Sequence, residues 1–259
     1  MVDLATSEPT KDAEDDHTLA ARLATEAGAL LLELRAAGVA EGRHPWQLMD
    51  EGDLLSHHFL VQALQEARPA DAILSEEGRD SANRLSANRV WIIDPLDGTN
   101  EFGELDRSDW AVHIALVADG VPIAAAVALP AVGRTFATRP APEVPPLGDR
   151  RPRVVTSRFR SPQAAIIAAQ VLGADVIRLG SAGAKTMAVM MGQADVYAHH
   201  GGMYEWDSAA PAAVAGAAGL HVSRIDGSPL VYNNPDPWLP DLLVCRREMA
   251  EPILKALWS

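Results

Sequence analysis

The spacing of apolar and polar positions changes several times along the chain, and each change predicts a new element. From position 17, Leu19, Leu23, Ala27, Leu30, Leu31 and Leu34 recur at intervals that place them on one face of a helix, with Gly38 as its expected stop. Residues 42–52, containing Pro45 and Trp46, read as a loop. A second helix is expected to open at Asp53 and to bury Leu54, Phe59, Leu60, Val61 and Leu64. Residues 72–75 form a short apolar run that delivers Glu76-Glu77-Gly78, and residues 90–93 form another, apolar throughout as in a strand covered on both faces. Alternation over residues 110–117, the turn Asp119-Gly120, a return over 121–129 and a third run over 134–138 predict an antiparallel meander. His113 falls inside its first strand, where a core histidine is expected.

The Pro-rich residues 140–146 are the expected junction between two halves. Beyond it, strand and helix alternate. Strands are expected at residues 154–156, 176–178 and 194–198, helices at 161–172 and 181–191, and a small-residue helix over 212–218 opened by Glu205-Trp206-Asp207-Ser208-Ala209-Ala210-Pro211. Further strands near His221, Val231 and Leu242 precede a last helix running to Trp258. A meander followed by this alternation predicts an α+β fold with an N-terminal α+β half, residues 17–139, and a C-terminal α/β half, residues 150–259. Residues 1–16, acidic and without apolar periodicity, read as a mobile tail.

Composition narrows the partners. With 259 residues, 48% hydrophobic and 22% charged, the chain can bury a proper core. No apolar run reaches membrane-spanning length, the first residues are acidic where a secretion signal needs a basic start, and Cys245 is the single cysteine. A cytoplasmic protein without membrane attachment is expected. A formal charge of −13 argues against binding a nucleic-acid polymer. It allows a small phosphorylated metabolite, provided that metal ions reverse the sign of the field inside the pocket.

The candidate chemistry is concentrated in Trp91-Ile92-Ile93-Asp94-Pro95-Leu96-Asp97-Gly98-Thr99-Asn100-Glu101-Phe102. Asp94 is expected at a strand end, with Pro95 in the first turn of a helix and Asp97 about one turn on. Two carboxylates, the Leu96 carbonyl and the amides of Gly98 and Thr99 would then converge, which suits Mg²⁺ carrying a phosphate. An isolated Asp-Pro-x-Asp-Gly would more often be only a cap and a turn.

Companion motifs change that balance. The run from Trp91 to Thr99 resembles the signature of the lithium-sensitive, magnesium-dependent inositol monophosphatase superfamily, and Glu76-Glu77 and Trp206-Asp207-Ser208-Ala209-Ala210 match its other two motifs in order. The resemblance implies the layered αβαβα sugar-phosphatase type of fold, two Mg²⁺ ions with a third in some members, and in many cases a homodimer. It implies one Mg²⁺ on Glu76, Asp94 and the Leu96 carbonyl to activate water, and another on Asp94, Asp97 and Asp207 to stabilise the leaving alkoxide. Thr99, aligned by Asp53, would take the proton of the water, with Glu76 beside them, while the amides of Gly98 and Thr99 hold the phosphoryl oxygens. Asp53 matches the family's aspartate, but the threonine and lysine-bearing loop that usually precede it have no counterpart, so the third ion and a mere capping role for Asp53 both stay open.

The same resemblance assigns the substrate's non-reacting half to Ser157, Arg158, Ser181, Gly183 and Lys185, with Asp207 touching substrate as well; Arg107, Arg158 and Lys185 are the candidate cations for a second phosphate, and which of them binds it stays open. Asn100-Glu101-Phe102 and the strand from Asp109 to Leu116 are similar to those of the CysQ-type members, which implies hydrolysis of the 3′-phosphate of 3′-phosphoadenosine 5′-phosphate or 3′-phosphoadenylyl sulfate, a step tied to sulfate assimilation. Inositol 1-phosphate and fructose 1,6-bisphosphate are the alternative substrates. A silent metal- or nucleotide-binding sensor is the alternative of another class.

Overall fold

The computed structural model describes residues 14–257. The expected tail lies outside the described residues as far as position 13. Its last residues are structured: Asp15 caps the first helix, α1 (Asp16–Glu41), by accepting from the Thr18 amide at 2.8 Å. Gly38 does not stop α1. It lies inside the helix, where a Cβ would come within 2.1 Å of Leu48 Cδ2, and the chain leaves the helix at Gly42 with φ +69°. The expected loop over residues 42–52 is largely helical as well, because Pro45 occupies the first turn of α2 (Pro45–Ala67), where its missing N–H breaks no bond. The Gln47 side chain accepts from the His44 amide at 3.0 Å to complete that start. Asp53 is therefore inside a helix and caps nothing.

Two five-stranded sheets follow. The first takes β1 (Ala72–Ser75), β2 (Val90–Asp97), β3 (Ala111–Ala118), β4 (Val121–Leu129) and β5 (Arg134–Ala137) in that order, with β1 parallel to β2 and the remainder antiparallel. The second contains β6 (Arg153–Ser157), β7 (Asp175–Leu179), β8 (Val196–Tyr204), β9 (His221–Ser223) and β10 (Trp238–Cys245), ordered β7-β6-β8-β10-β9. Helices α3 (Thr99–Gly103), α4 (Gln163–Leu172), α5 (Ala182–Met190), α6 (Glu205–Ala217) and α7 (Arg247–Leu257) are the remaining α-helices among the described residues. The segment around Val231 is a loop, not a strand: Asn233 there has φ +63°, and Glu205 binds the amides of Asn233 and Asn234. The strand expected to stop at residue 198 continues through His199–Gly202.

Side-chain alternation assigns the layers. Along β2, Val90 and Ile92 enter the core between the sheets, whereas Trp91 and Ile93 pack with Leu23, Leu31, Leu60 and Leu64 of α1 and α2. Along β10, Leu242 and Val244 face the same central core, and Leu243 and Cys245 meet α4 and α7. The central core also holds Met187 and Met190 of α5 and Ala209, Ala210 and Val214 of α6. The order is thus α1/α2, sheet, α5/α6, sheet, α4/α7, the expected αβαβα stack. Both sheets are covered on both faces, which is why their central strands read as unbroken apolar runs.

One buried charge fastens the second sheet. Asp195, just before β8, has a fully buried side chain that accepts from Arg150 at 2.6 Å, Arg246 at 2.7 Å and the Arg153 amide at 2.9 Å. Burial pushes its carboxyl up, but these donors outweigh burial and hold it below the ordinary range. A depressed folded-state value means the contribution is present above the unfolded-state value and is lost as pH falls through the folded one. Asp195→Ala should therefore cost about 3 kcal/mol in urea unfolding at pH 7, because it strands Arg246 in the interior. The gap between variant and parent should close as the parent is titrated below about pH 4; a difference under about 0.5 kcal/mol at pH 7 would deny Asp195 this role.

Candidate metal and phosphate site

The strand carrying the two aspartates does not end at Asp94. Pro95, Leu96 and Asp97 continue β2, and α3 starts only after Gly98, whose φ is +90°. Against β3, Asp94 pairs with His113 and Asp97 with Ala111, so three steps on β2 match two on β3. That extra residue is a bulge. Residues three apart in a regular strand point to opposite faces; the bulge restores parity and turns Asp94 and Asp97 toward the same side as Ile92, while Leu96 packs with Ile93. Proline suits this position because a bulge interrupts the ladder that its missing N–H would have served. Its carbonyl is not wasted: it accepts from Ser56 Oγ at 2.7 Å.

Four acids meet here, each fixed by its own element. Asp94 is 1% exposed; Oδ1 accepts from the Leu96 amide at 3.2 Å, and Oδ2 has no hydrogen-bond partner. Asp97 reaches the opposite half of the molecule, where the amides of Ala182 and Gly183 at the start of α5 donate to it at 3.1 and 2.6 Å. Asp207, in the first turn of α6, accepts from the Tyr204 amide at 2.6 Å. Glu76, an exposed residue, follows the end of β1 within electrostatic reach of Asp94, Asp97 and Asp207. Burial first, then repulsion from Glu76, Asp97 and Asp207, raises Asp94 well above the usual carboxylate range. Burial and Asp207 push Glu76 up to about 7, and burial and Asp97 push Asp207 up to about 6. Asp97 goes the other way, to about 2, since His113 and the Gly183 amide outweigh its burial.

His113 is the residue whose part the sequence did not disclose. It is buried in the core, as expected, but its Nδ1–H donates to the Trp206 carbonyl at 3.1 Å and its Nε2 lies 3.1 Å from Asp97 Oδ2. Burial would lower its basicity; Asp97 outweighs that and raises it. Ligand atoms of Asp94, Asp97 and His113 all lie within 4.8 Å of one another, a group able to hold a metal ion. Gly183 permits this proximity, for a Cβ there would sit 2.0 Å from His113 Nε2. The signal was the hairpin register, which sets His113 directly opposite Asp94.

The remaining expected residues surround the same point. Thr99 Oγ1 lies 3.2 Å from Asp53 Oδ1 and 3.1 Å from the Leu96 carbonyl. Asp53 is pushed up to about 7 by burial and by Glu77 and Glu76. Asp97, Gly98, Ser157, Arg158, Ser181, Lys185 and Asp207 line one cleft of about 320 Å³. Gly183 stands behind it, against Asp97 and His113. At Gly98 a Cβ would meet Ser181 Cβ at 2.9 Å, so glycine is needed for the two halves to close. A larger depression of about 580 Å³, between α1 and β5, shares none of these residues.

The cations expected for a second phosphate are already engaged. Arg158 binds Glu101 at 2.8 Å and Glu104 at 2.9 Å, Arg107 pairs with Asp109, and Lys185 Nζ donates to the Gly180 carbonyl. Burial lowers the basicity of Lys185, against the pull of Asp97, Glu101 and Asp207.

Comparison with known proteins places this geometry. The inositol monophosphatase family model matches residues 12–141 and 149–259. The 3′-phosphoadenosine 5′-phosphate phosphatase of Mycobacterium tuberculosis is 49% identical over 243 residues, covering 90% of this chain and 89% of that one. The 3′(2′),5′-bisphosphate nucleotidase CysQ of Escherichia coli is 29% identical over 237 residues, 84% of this chain and 94% of that one. Among solved structures, CysQ from Bacteroides thetaiotaomicron superposes with a TM-score of 0.73 at 25% identity, over 90% of this chain and 97% of its own. With the family's motifs on the strand ends and helix starts that form the cleft, the chain belongs to the inositol monophosphatase family.

Proposed function

We propose that this protein is a magnesium-dependent phosphomonoesterase that removes the 3′-phosphate of 3′-phosphoadenosine 5′-phosphate, giving AMP and phosphate, and that it also acts on 3′-phosphoadenylyl sulfate to give adenylyl sulfate. The observation that carries the chemistry is the buried Oδ2 of Asp94, which has no hydrogen-bond partner and lies 3.9 Å from His113 Nδ1, among Glu76, Asp97 and Asp207. A carboxylate so placed is relieved only by a proton or a cation, and an oxygen-rich donor set favours a hard cation such as Mg²⁺. The choice of phosphate is supported by the 49% identity to a 3′-phosphoadenosine 5′-phosphate phosphatase over about nine-tenths of both chains.

Glu76, Asp94 and the Leu96 carbonyl would hold one ion and Asp94, Asp97 and Asp207 a second. Bound there, the ions supply Lewis acidity toward water and toward the leaving oxygen. The amides anchoring Asp94, Asp97 and Asp207 fix these ligands before any ion arrives, and His113 keeps Asp97 ionised. Asp53, poised near neutrality, orients Thr99, and the pair would take the proton from the attacking water. The amides of Gly98 and Thr99 would hold the phosphoryl oxygens, and Ser157, Arg158, Ser181, Gly183 and Lys185 would shape the space for the rest of the substrate. Helix α2 occupies the segment where the family carries its mobile loop, so two ions are proposed rather than three.

Phosphate release should be measured in parallel from 3′-phosphoadenosine 5′-phosphate, inositol 1-phosphate and fructose 1,6-bisphosphate with Mg²⁺. The nucleotide should lead by at least about tenfold in kcat/KM, roughly 1.4 kcal/mol; an equal lead for inositol 1-phosphate would reassign the substrate, and no release from any of the three would remove the enzyme reading. Millimolar Li⁺ should slow turnover by occupying the second ion's ligands, and full rates in its presence would contradict that ligand set.

Replacing Asp94 with asparagine separates chemistry from folding. Raised carboxyls destabilise the metal-free protein as pH climbs through their values, because their charged forms repel. Asp94→Asn should thus melt a few degrees higher than the metal-free parent at pH 8, lose the stabilisation that Mg²⁺ confers on the parent, and turn over at least ~10²-fold more slowly. In the parent, apparent Mg²⁺ affinity should fall as pH is lowered from 8 to 6, when protons claim Glu76 and Asp207. A variant that keeps both the Mg²⁺ response and the rate would refute the site.

A further inference from the structure

One wall of the cleft is idle in the chemistry above. Phe159 lines it, two residues past the end of β6, with 80% of its surface exposed. Single exposed apolar residues are ordinary on a protein surface, but the start of this loop is tied down by side-chain contacts. The guanidinium of Arg158 lies 4.9 Å from the ring centroid, held there by Glu101 and Glu104. Arg178 donates to the carbonyls of Ser157 at 3.1 Å and Arg158 at 3.2 Å, so the backbone that carries the ring is pinned. Folding gains little from an aromatic ring left in water, and a cation set against it strengthens the ring as a platform without burying it.

The same cleft holds Asp97, Gly98 and Asp207, where the reacting phosphate is proposed to sit. A ligand anchored at that end shares its cleft with the Phe159 ring. Of the groups a phosphomonoester can carry, a planar heterocycle gains most there, since stacking a base on an aromatic side chain contributes about 1–3 kcal/mol and a hydroxylated carbocycle has no flat π-face to offer. Resting on the nucleotidase reading, we propose that Phe159 is the surface on which the substrate's base stacks, and so the residue by which this pocket distinguishes a nucleotide from a base-free phosphate ester. Arg158, whose guanidinium lies over the same ring, has its charge balanced by Glu101 and Glu104.

The test compares kcat/KM of the Mg²⁺-loaded enzyme for 3′-phosphoadenosine 5′-phosphate and for the abasic tetrahydrofuran 3′,5′-bisphosphate, in the parent, Phe159→Ala and Phe159→Trp. Phe159→Ala should reduce the nucleotide-to-abasic ratio about tenfold, mainly through KM, and Phe159→Trp should restore it. A fluorescence change on adding AMP to Phe159→Trp, beyond that of the parent, supplies a readout free of turnover. If the parent hydrolyses the nucleotide and Phe159→Ala leaves the ratio within twofold of the parent's, the stacking role is wrong and the nucleotidase reading survives. If the parent hydrolyses inositol 1-phosphate but neither bisphosphate, the nucleotidase reading fails and this inference fails with it.

Discussion

Asp97 keeps its charge although its side chain is almost wholly buried, and much else in the molecule is arranged so that it can. It lies on a strand of the first sheet, yet its two amide donors belong to α5, in the layer between the sheets, and its ionic partner His113 comes from the neighbouring strand. The dipole of α5 and the adjacent His113 ring together offset the cost of burying that carboxylate. This contact therefore joins the halves and positions the acids in one step. Gly183, Gly180 and Gly98 are among the places where a side chain would force the halves apart, a Cβ at Gly180 falling 2.1 Å from Glu101 Cδ.

The other three acids are compensated less, one amide each for Asp94 and Asp207 being too little to offset burial and mutual repulsion. Asp94, Glu76 and Asp207 are raised while Asp97 is lowered, so the cluster is divided into one permanent anion and three carboxyls that resist ionising together. Such a division is unfavourable for folding alone and favourable for capturing a divalent cation, because the binding energy of the ion includes relief of the repulsion. Stability for the surrounding scaffold comes from elsewhere, in the apolar layers and in fully compensated charges such as Asp195.

Much of the fold was legible because both sheets are covered on both faces, which leaves continuous apolar strands and unmistakable turns such as Asp119-Gly120. Two prolines misled in opposite directions. Pro45 reads as a loop residue and starts a helix; Pro95 reads as a helix start and sits in a strand. A fixed φ and a missing N–H suit either setting, and only the partner strand, absent from local sequence, decides between them. Gly38 misled for a related reason, since its missing side chain makes room for Leu48 instead of ending a helix. The carboxylates were legible through their motifs. His113 was not, because its chemistry arises from register with Asp94 and from proximity to α5, neither of which spacing along one strand reveals.

The cations show the same limit, and they bear on how an anionic substrate is held. Arg158 looks free in sequence, but its partners Glu101 and Glu104 are 57 and 54 residues away, and Lys185 is turned onto the Gly180 carbonyl. With these charges balanced, and with carboxyls concentrated at the proposed reacting end, Arg107, Arg158 and Lys185 offer a multiply charged phosphate little net attraction. Affinity must then come from cations that the acid cluster recruits and from uncharged contacts along the cleft. That accounts for a strongly acidic chain serving an anionic ligand, and it explains why an exposed aromatic ring on a pinned segment counts for more here than another surface arginine would: stacking adds selectivity without adding charge to a field already set by Asp94 and its neighbours.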